Sequence, residues 1–178
     1  MKLKKLKKGE KGFTLIELLI ALPIIAIVVA AATGALIQVI QSTSTSAHMV
    51  AIRQVQTAGY WVSKDGLQVQ VAPDLTDPTG FPLTLRRTDR DDRDVHVVIY
   101  SFVSPGELTE LQRQKIVTDK DGSLVSNTTT MVGQYIDSSQ TRCQWDGSVL
   151  TFTVTAKVPG ARGPQTESRT YEIKPRPD

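Results

Sequence analysis

Few side chains in this sequence could do chemistry at neutral pH, and their spacing argues against most of it. His48 and His96 are the only histidines and Cys143 is the only cysteine. A Cys-His nucleophile or a mixed His-Cys metal site needs such groups brought together, and nothing in these positions does so. No catalytic residue, no metal ligand and no cofactor is expected. A lone cysteine makes no intramolecular disulfide, so Cys143 is either a small buried side chain or an exposed thiol able to pair between chains. Two acidic clusters, Asp89/Asp91/Asp92/Asp94 and Asp119/Asp121, have the composition of a calcium loop. An EF-hand loop needs glycine at its sixth position and oxygen ligands through its twelfth. Counting from Asp89, those positions hold Asp94 and Tyr100; counting from Asp119, the sixth is Leu124. Turns and solvated charge account for both clusters. Arg86, Arg87, Arg90 and Arg93 interleave with the first of them, which reads as a salt-bridged loop rather than a phosphate-binding patch.

The remaining candidate is Glu17. It is the only ionisable side chain between Phe13 and Ala32. As a helix rising 1.5 Å per residue, that run is roughly 30 Å long, the thickness of a bilayer core. The run therefore reads as a membrane span. A carboxylate within hydrocarbon costs about 2.5 to 3.5 kcal/mol at a helix centre, so Glu17 needs a cationic partner or a place near the interface. Pro23 frees the carbonyl of Leu19 and is expected to kink or loosen the span. Ahead of it, residues 1–12 carry six lysines against Glu10, a net charge of +5. Lysines on that flank hold the start of the chain in the cytoplasm and send the remainder outside. Ala30, Ala31 and Ala32 mimic a secretory cleavage site, but the apolar run is long for a signal peptide.

The leader also explains the charge of the chain, which is +3 from 21 basic and 18 acidic residues. Without its six lysines and Glu10, 15 basic face 17 acidic residues, a net charge of −2. No global basic field survives, and no nucleic-acid partner is expected.

The junction Gly12-Phe13-Thr14-Leu15-Ile16-Glu17, set between a basic leader and an apolar continuation, resembles the processing signature of type IV prepilins and type II secretion pseudopilins. That resemblance, confined to about the first thirty residues, implies cleavage by a prepilin peptidase between Gly12 and Phe13 and methylation of the new Phe13 amine. It implies an assembly role for Glu17, whose carboxylate would meet the freed amine of Phe13 on a neighbouring subunit and so set the axial stagger between them. Other pilin or pseudopilin subunits, an inner-membrane assembly platform and membrane lipid are the implied partners. The inner membrane, crossed once with the N-terminus cytoplasmic, is the implied location. Pro23 lies earlier than the proline usual in the family, and Gly34 stands near that later place.

Beyond the span, residues 38–46 turn polar, and then Met49, Ile52, Val55, Gly59, Val62, Gly66 and Val69 recur at steps of three and four. This spacing predicts an amphipathic helix continuing the span and ending at Pro73. Afterwards the pattern becomes β, with strands expected at 82–85, 95–103, 108–117, 131–136, 142–145, 149–158 and 167–173. Alternation is plainest where Leu150, Phe152, Val154, Ala156 and Val158 are separated by Thr151, Thr153, Thr155 and Lys157. Asp121-Gly122 and Asp146-Gly147 supply tight turns, and residues 159–165 a longer hairpin loop. The expected organisation is a leader at 1–12, a transmembrane helix at 13–40, an amphipathic continuation at 41–72 and a β-rich extracytoplasmic domain at 73–178. The fold class is α+β, a long N-terminal helix packed on an antiparallel sheet. Hairpin spacing and length resemble the J-type minor pseudopilins and related minor pilins. Three functions fit: a structural filament subunit, a binding module at a filament tip for a secreted substrate or DNA, and a membrane-anchored enzyme.

Overall fold

The structure is a computed structural model that describes residues 14–76, 78–104 and 108–175. Among the described residues one helix, α1 (Leu15–Gly66), is followed by eight strands: β1 (Asp74–Leu75), β2 (Leu83–Thr88), β3 (Val95–Val103), β4 (Glu110–Thr118), β5 (Leu124–Gly133), β6 (Arg142–Trp145), β7 (Leu150–Val158) and β8 (Gln165–Ile173). The chain divides into two compact units at Ser42/Thr43, within the helix.

The first unit holds the apolar part of α1. Its large side chains, from Leu15 through Val39, are exposed. Among the described residues this is the one helix long and apolar enough to cross a membrane. An all-round apolar surface of that length is stable only where lipid or other apolar helices cover it. The helix continues unbroken through Pro23. Thr33 carries the only hydroxyl between Ala21 and Gln38, and it donates to the Val29 carbonyl at 2.8 Å. That bond satisfies the hydroxyl within its own helix.

The second unit packs the rest of α1 on antiparallel strands, so the α+β architecture is as the pattern predicts. The strands form two sheets rather than one, a five-stranded sheet in the order β1-β2-β3-β4-β5 and a three-stranded sheet in the order β6-β7-β8. A single antiparallel bridge between Ile136 and Ala156 ties the segment after β5 to β7. The helix face that meets them is made of small residues: Ala47, Ala51, Val55, Ala58, Gly59, Val62 and Gly66 are all buried. Close approach is the reason. A Cβ on Gly59 would lie 2.1 Å from Cζ of Tyr171, and one on Gly66 would lie 2.9 Å from Cγ2 of Ile173, both on β8. The predicted stripe is therefore right at Val55, Gly59, Val62 and Gly66, while Met49 is exposed and alanines carry the earlier turns.

Helix α1 ends at Gly66, short of the expected boundary at 72. Glycine is a poor helix former, and the chain turns there with Gln68 N–H donating to Asp65 O and Val69 N–H to Gly66 O. Val69 then enters the core as loop. Strand β5 begins at Leu124 instead of 131 because its Ser, Asn and Thr residues show no alternation. It is the edge of the larger sheet, and residues 124–131 are exposed on both faces. It also stops earlier than 136: Tyr135 has a φ of 58°, and Ile136 leaves the sheet for its bridge to Ala156. Both Asp-Gly turns are present, with Gly122 at φ 84° and Gly147 at φ 98°. Asp146 Oδ1 accepts from the amides of Ser148 and Val149. The core centres on Tyr100, Phe152, Leu83, Leu85, Leu111 and Leu150, with Phe81 tilted against Phe102 at 4.6 Å between ring centroids.

Candidate functional site

Gly12 and Phe13, the expected cleavage pair, lie outside the described residues. From Thr14 onward the chain enters α1 through a capped helix start. Thr14 donates to Glu17 Oε2 twice, from its backbone amide at 2.9 Å and from Oγ1 at 2.8 Å. The Glu17 amide donates back to Thr14 Oγ1 at 3.3 Å. This is a reciprocal capping box, in which a threonine before the first helical turn and a glutamate three residues on satisfy each other's amides. Leu18 N–H donates to Thr14 O, closing the first turn. The capping role of Thr14 was not among the expectations from sequence, although Thr-x-x-Glu ahead of an apolar run signals it. One carboxylate oxygen thus serves the helix start, in a segment whose other side chains through Ile37 are apolar or small.

The remaining titratable groups of interest are held by the second unit. His48 is exposed on α1, His96 is half-buried on β3, and Cys143 is buried on β6. Burial pushes the Cys143 thiol up to about 12, leaving it protonated and inert at neutral pH. Asp89 Oδ1 accepts from the Asp91 amide, and Asp119 Oδ1 from the amides of Asp121 and Ser123, so each acidic cluster braces its own turn. Among the described residues no three His, Cys, Asp or Glu side chains are grouped to hold a metal ion.

One buried polar constellation had no sequence signal. Asp65, in the last turn of α1, accepts from Arg113 Nε at 2.6 Å and from Arg113 Nη2 at 2.9 Å, and takes a third bond from the Tyr100 hydroxyl. The two charged side chains are only 9% and 12% exposed. Burial, followed by the Asp65 charge, holds the Tyr100 hydroxyl far above its usual range and keeps it a donor. The hydrogen bonds that Arg113 donates to Asp65 raise the pKa of its guanidinium. Arg113 also lies 4.9 Å from the Trp61 ring centroid. The constellation pins the end of α1 to β3 and β4; it is fully paired and has no reactive member.

Residues 7–33 match the family described as the prokaryotic N-terminal methylation motif. That match, confined to the N-terminal segment, supports a likeness to type IV prepilins and pseudopilins. No curated protein and no solved structure matches the chain. The motif implies processing by prepilin peptidase and assembly with other pilin subunits. The exposed apolar half of α1 is suited to a membrane-anchored prepilin.

Proposed function

We propose that this chain is a minor subunit of a type IV pilus or type II secretion pseudopilus, cut between Gly12 and Phe13, methylated on Phe13 and assembled through its N-terminal helix. The observation that carries the reading is the methylation motif at residues 7–33 running directly into a helix whose apolar surface is exposed all round. Before assembly the prepilin rests in the inner membrane with its leader cytoplasmic and its second unit outside, the orientation its lysines favour. An assembly platform then draws the helix from lipid into a bundle of like helices.

In that bundle Glu17 serves two purposes at once. Oε2 is committed to Thr14, and Oε1 is the oxygen we assign to the Phe13 amine of a neighbouring subunit. Breaking such a pair in a poorly screened environment costs about 3 to 5 kcal/mol. The capping box makes the test selective, because glutamine at this position can still cap through its amide oxygen. Glu17→Gln should therefore insert, be cleaved and fold normally, yet lose co-purification with partner subunits. Undiminished association at equal membrane levels would refute the pairing. Glu17→Ala, which removes cap and charge together, should be no better than Glu17→Gln in association.

A further inference from the structure

The face of the larger sheet that meets α1 changes character along its length. Antiparallel register sets Leu83, Tyr100 and Arg113 in one row, Leu85, Val98 and Lys115 in the next, and Arg87, His96 and Val117 in the third. The helix stops at Gly66, close to the first row, since Asp65 bonds both Tyr100 and Arg113. Past that point the face opens into a groove of about 300 Å³ lined by Trp61, Lys64, Arg87, Arg113 and Lys115, with Asp65 and Gln68 beside them. Four cations face one carboxylate, a net +3, on a chain that carries −2 once its leader is gone. The single carboxylate is already bound to Arg113 and Tyr100.

Two of these cations, Lys64 and Arg113, are held in place. Lys64 Nζ lies 5.0 Å from the Trp61 ring centroid and 5.9 Å from that of Tyr60, and Arg113 stacks on the same indole while fixed by Asp65. Cation-ring contacts orient a charge without neutralising it. His96, at the groove's edge with Arg87 Nη2 3.4 Å from its Nδ1, reports the field: burial, then Arg87 and Lys115, lower its pKa. The carboxylates of Asp89 and Asp94 act on His96 in the opposite sense, so the β2–β3 loop bounds the positive region on one side. An extended polyanion would run against that loop; a compact anion would not.

We propose that this groove binds an acidic segment of another polypeptide, with one or two of its carboxylates seated between Lys64, Arg87 and Lys115 and its chain lying along Trp61. Carboxylates suit the site because arginine and lysine donors converge there beside an aromatic wall. The proposal is independent of the filament reading, since it concerns only the second unit and requires no assembly.

The test uses the full chain in a non-ionic detergent and a fluorescein-labelled tri-glutamate peptide followed by anisotropy. Saturable, salt-sensitive binding is expected, weakened at least tenfold in Lys64→Gln/Lys115→Gln, with the melting temperature of the variant unchanged. Binding should also raise the pH midpoint of the His96 ring resonances, because a bound anion offsets Arg87 and Lys115. No saturable binding, equal binding of tri-glutamine, or equal affinity in the double variant would overturn the proposal. Tighter, variant-sensitive binding of inorganic phosphate or of a single-stranded oligonucleotide would overturn it in favour of a phosphate ligand or a nucleic acid.

Discussion

Replacing Asp65 by asparagine keeps the shape of the side chain and removes one acceptor and the charge. In the native unit Oδ2 receives both Tyr100 and Arg113 Nε, and Oδ1 receives Arg113 Nη2. Whichever oxygen becomes an NH₂ group, a donor then faces a donor. Arg113, 12% exposed, is left without its counter-charge, and removing one partner of a buried ion pair costs about 3 to 5 kcal/mol. Because Arg113 keeps its stack on Trp61, the lower figure applies, about 3 kcal/mol. For a unit this size that corresponds to a fall in melting temperature of about 10 °C. Circular dichroism of the full chain in detergent reads it. Adding Arg113→Met, which removes the stranded cation, should recover part of the loss. A melting temperature within about 2 °C of the parent would refute the claim that this constellation secures the helix, as would a double variant less stable than Asp65→Asn alone.

Three further outcomes follow from single contacts. Gly59→Ala sets a methyl 2.1 Å from Tyr171 Cζ, so the ring must leave, with its bond to the Val55 carbonyl; thermal melts should show a loss of about 2 to 4 kcal/mol. Gly147→Val meets no neighbour within 4 Å but sits at φ 98°, so the same assay should show only backbone strain, about 1 to 3 kcal/mol, with membrane insertion unchanged. His96 has a lowered folded pKa, through burial and then Arg87 and Lys115. Its neutral form is favoured by the fold, so its stabilisation is complete above its unfolded value of about 6.5 and is lost as pH falls through the lower folded value. His96→Gln should flatten the decline in melting temperature between about pH 7 and pH 5, and an unchanged slope would refute the assignment.

The N-terminal chemistry was legible because it is local. A leader, a junction and an apolar run of fixed length are all read from neighbouring residues. The capping box is equally local, a matter of the spacing from Thr14 to Glu17, but a lone charge within an apolar run is the stronger signal and masks it. Strands with one wet face, such as β7, announce themselves by alternation, whereas β5 is exposed on both faces and carries no period to read. The small-residue face of α1 was half legible. Hydrophobic spacing found Val55 and Val62, but alanine at 47, 51 and 58 looks the same at a tight interface as on an open surface. Least legible was the Asp65–Tyr100–Arg113 constellation, whose members lie 35 and 48 residues apart along the chain. Only the register of β3 against β4 and the end of the helix bring them together, and the groove beside them depends on the same meeting.

Tandem mass spectrometry of the N-terminal peptide decides whether the chain is cut after Gly12 as proposed. The protein is recovered from membranes of a host that contains prepilin peptidase. The peptide should begin at Phe13 and carry one methyl group on its α-amine, and Gly12→Val should abolish that product. A chain that retains residues 1–12, or one that begins after Ala32 as a secretory signal would leave it, would refute processing at Gly12.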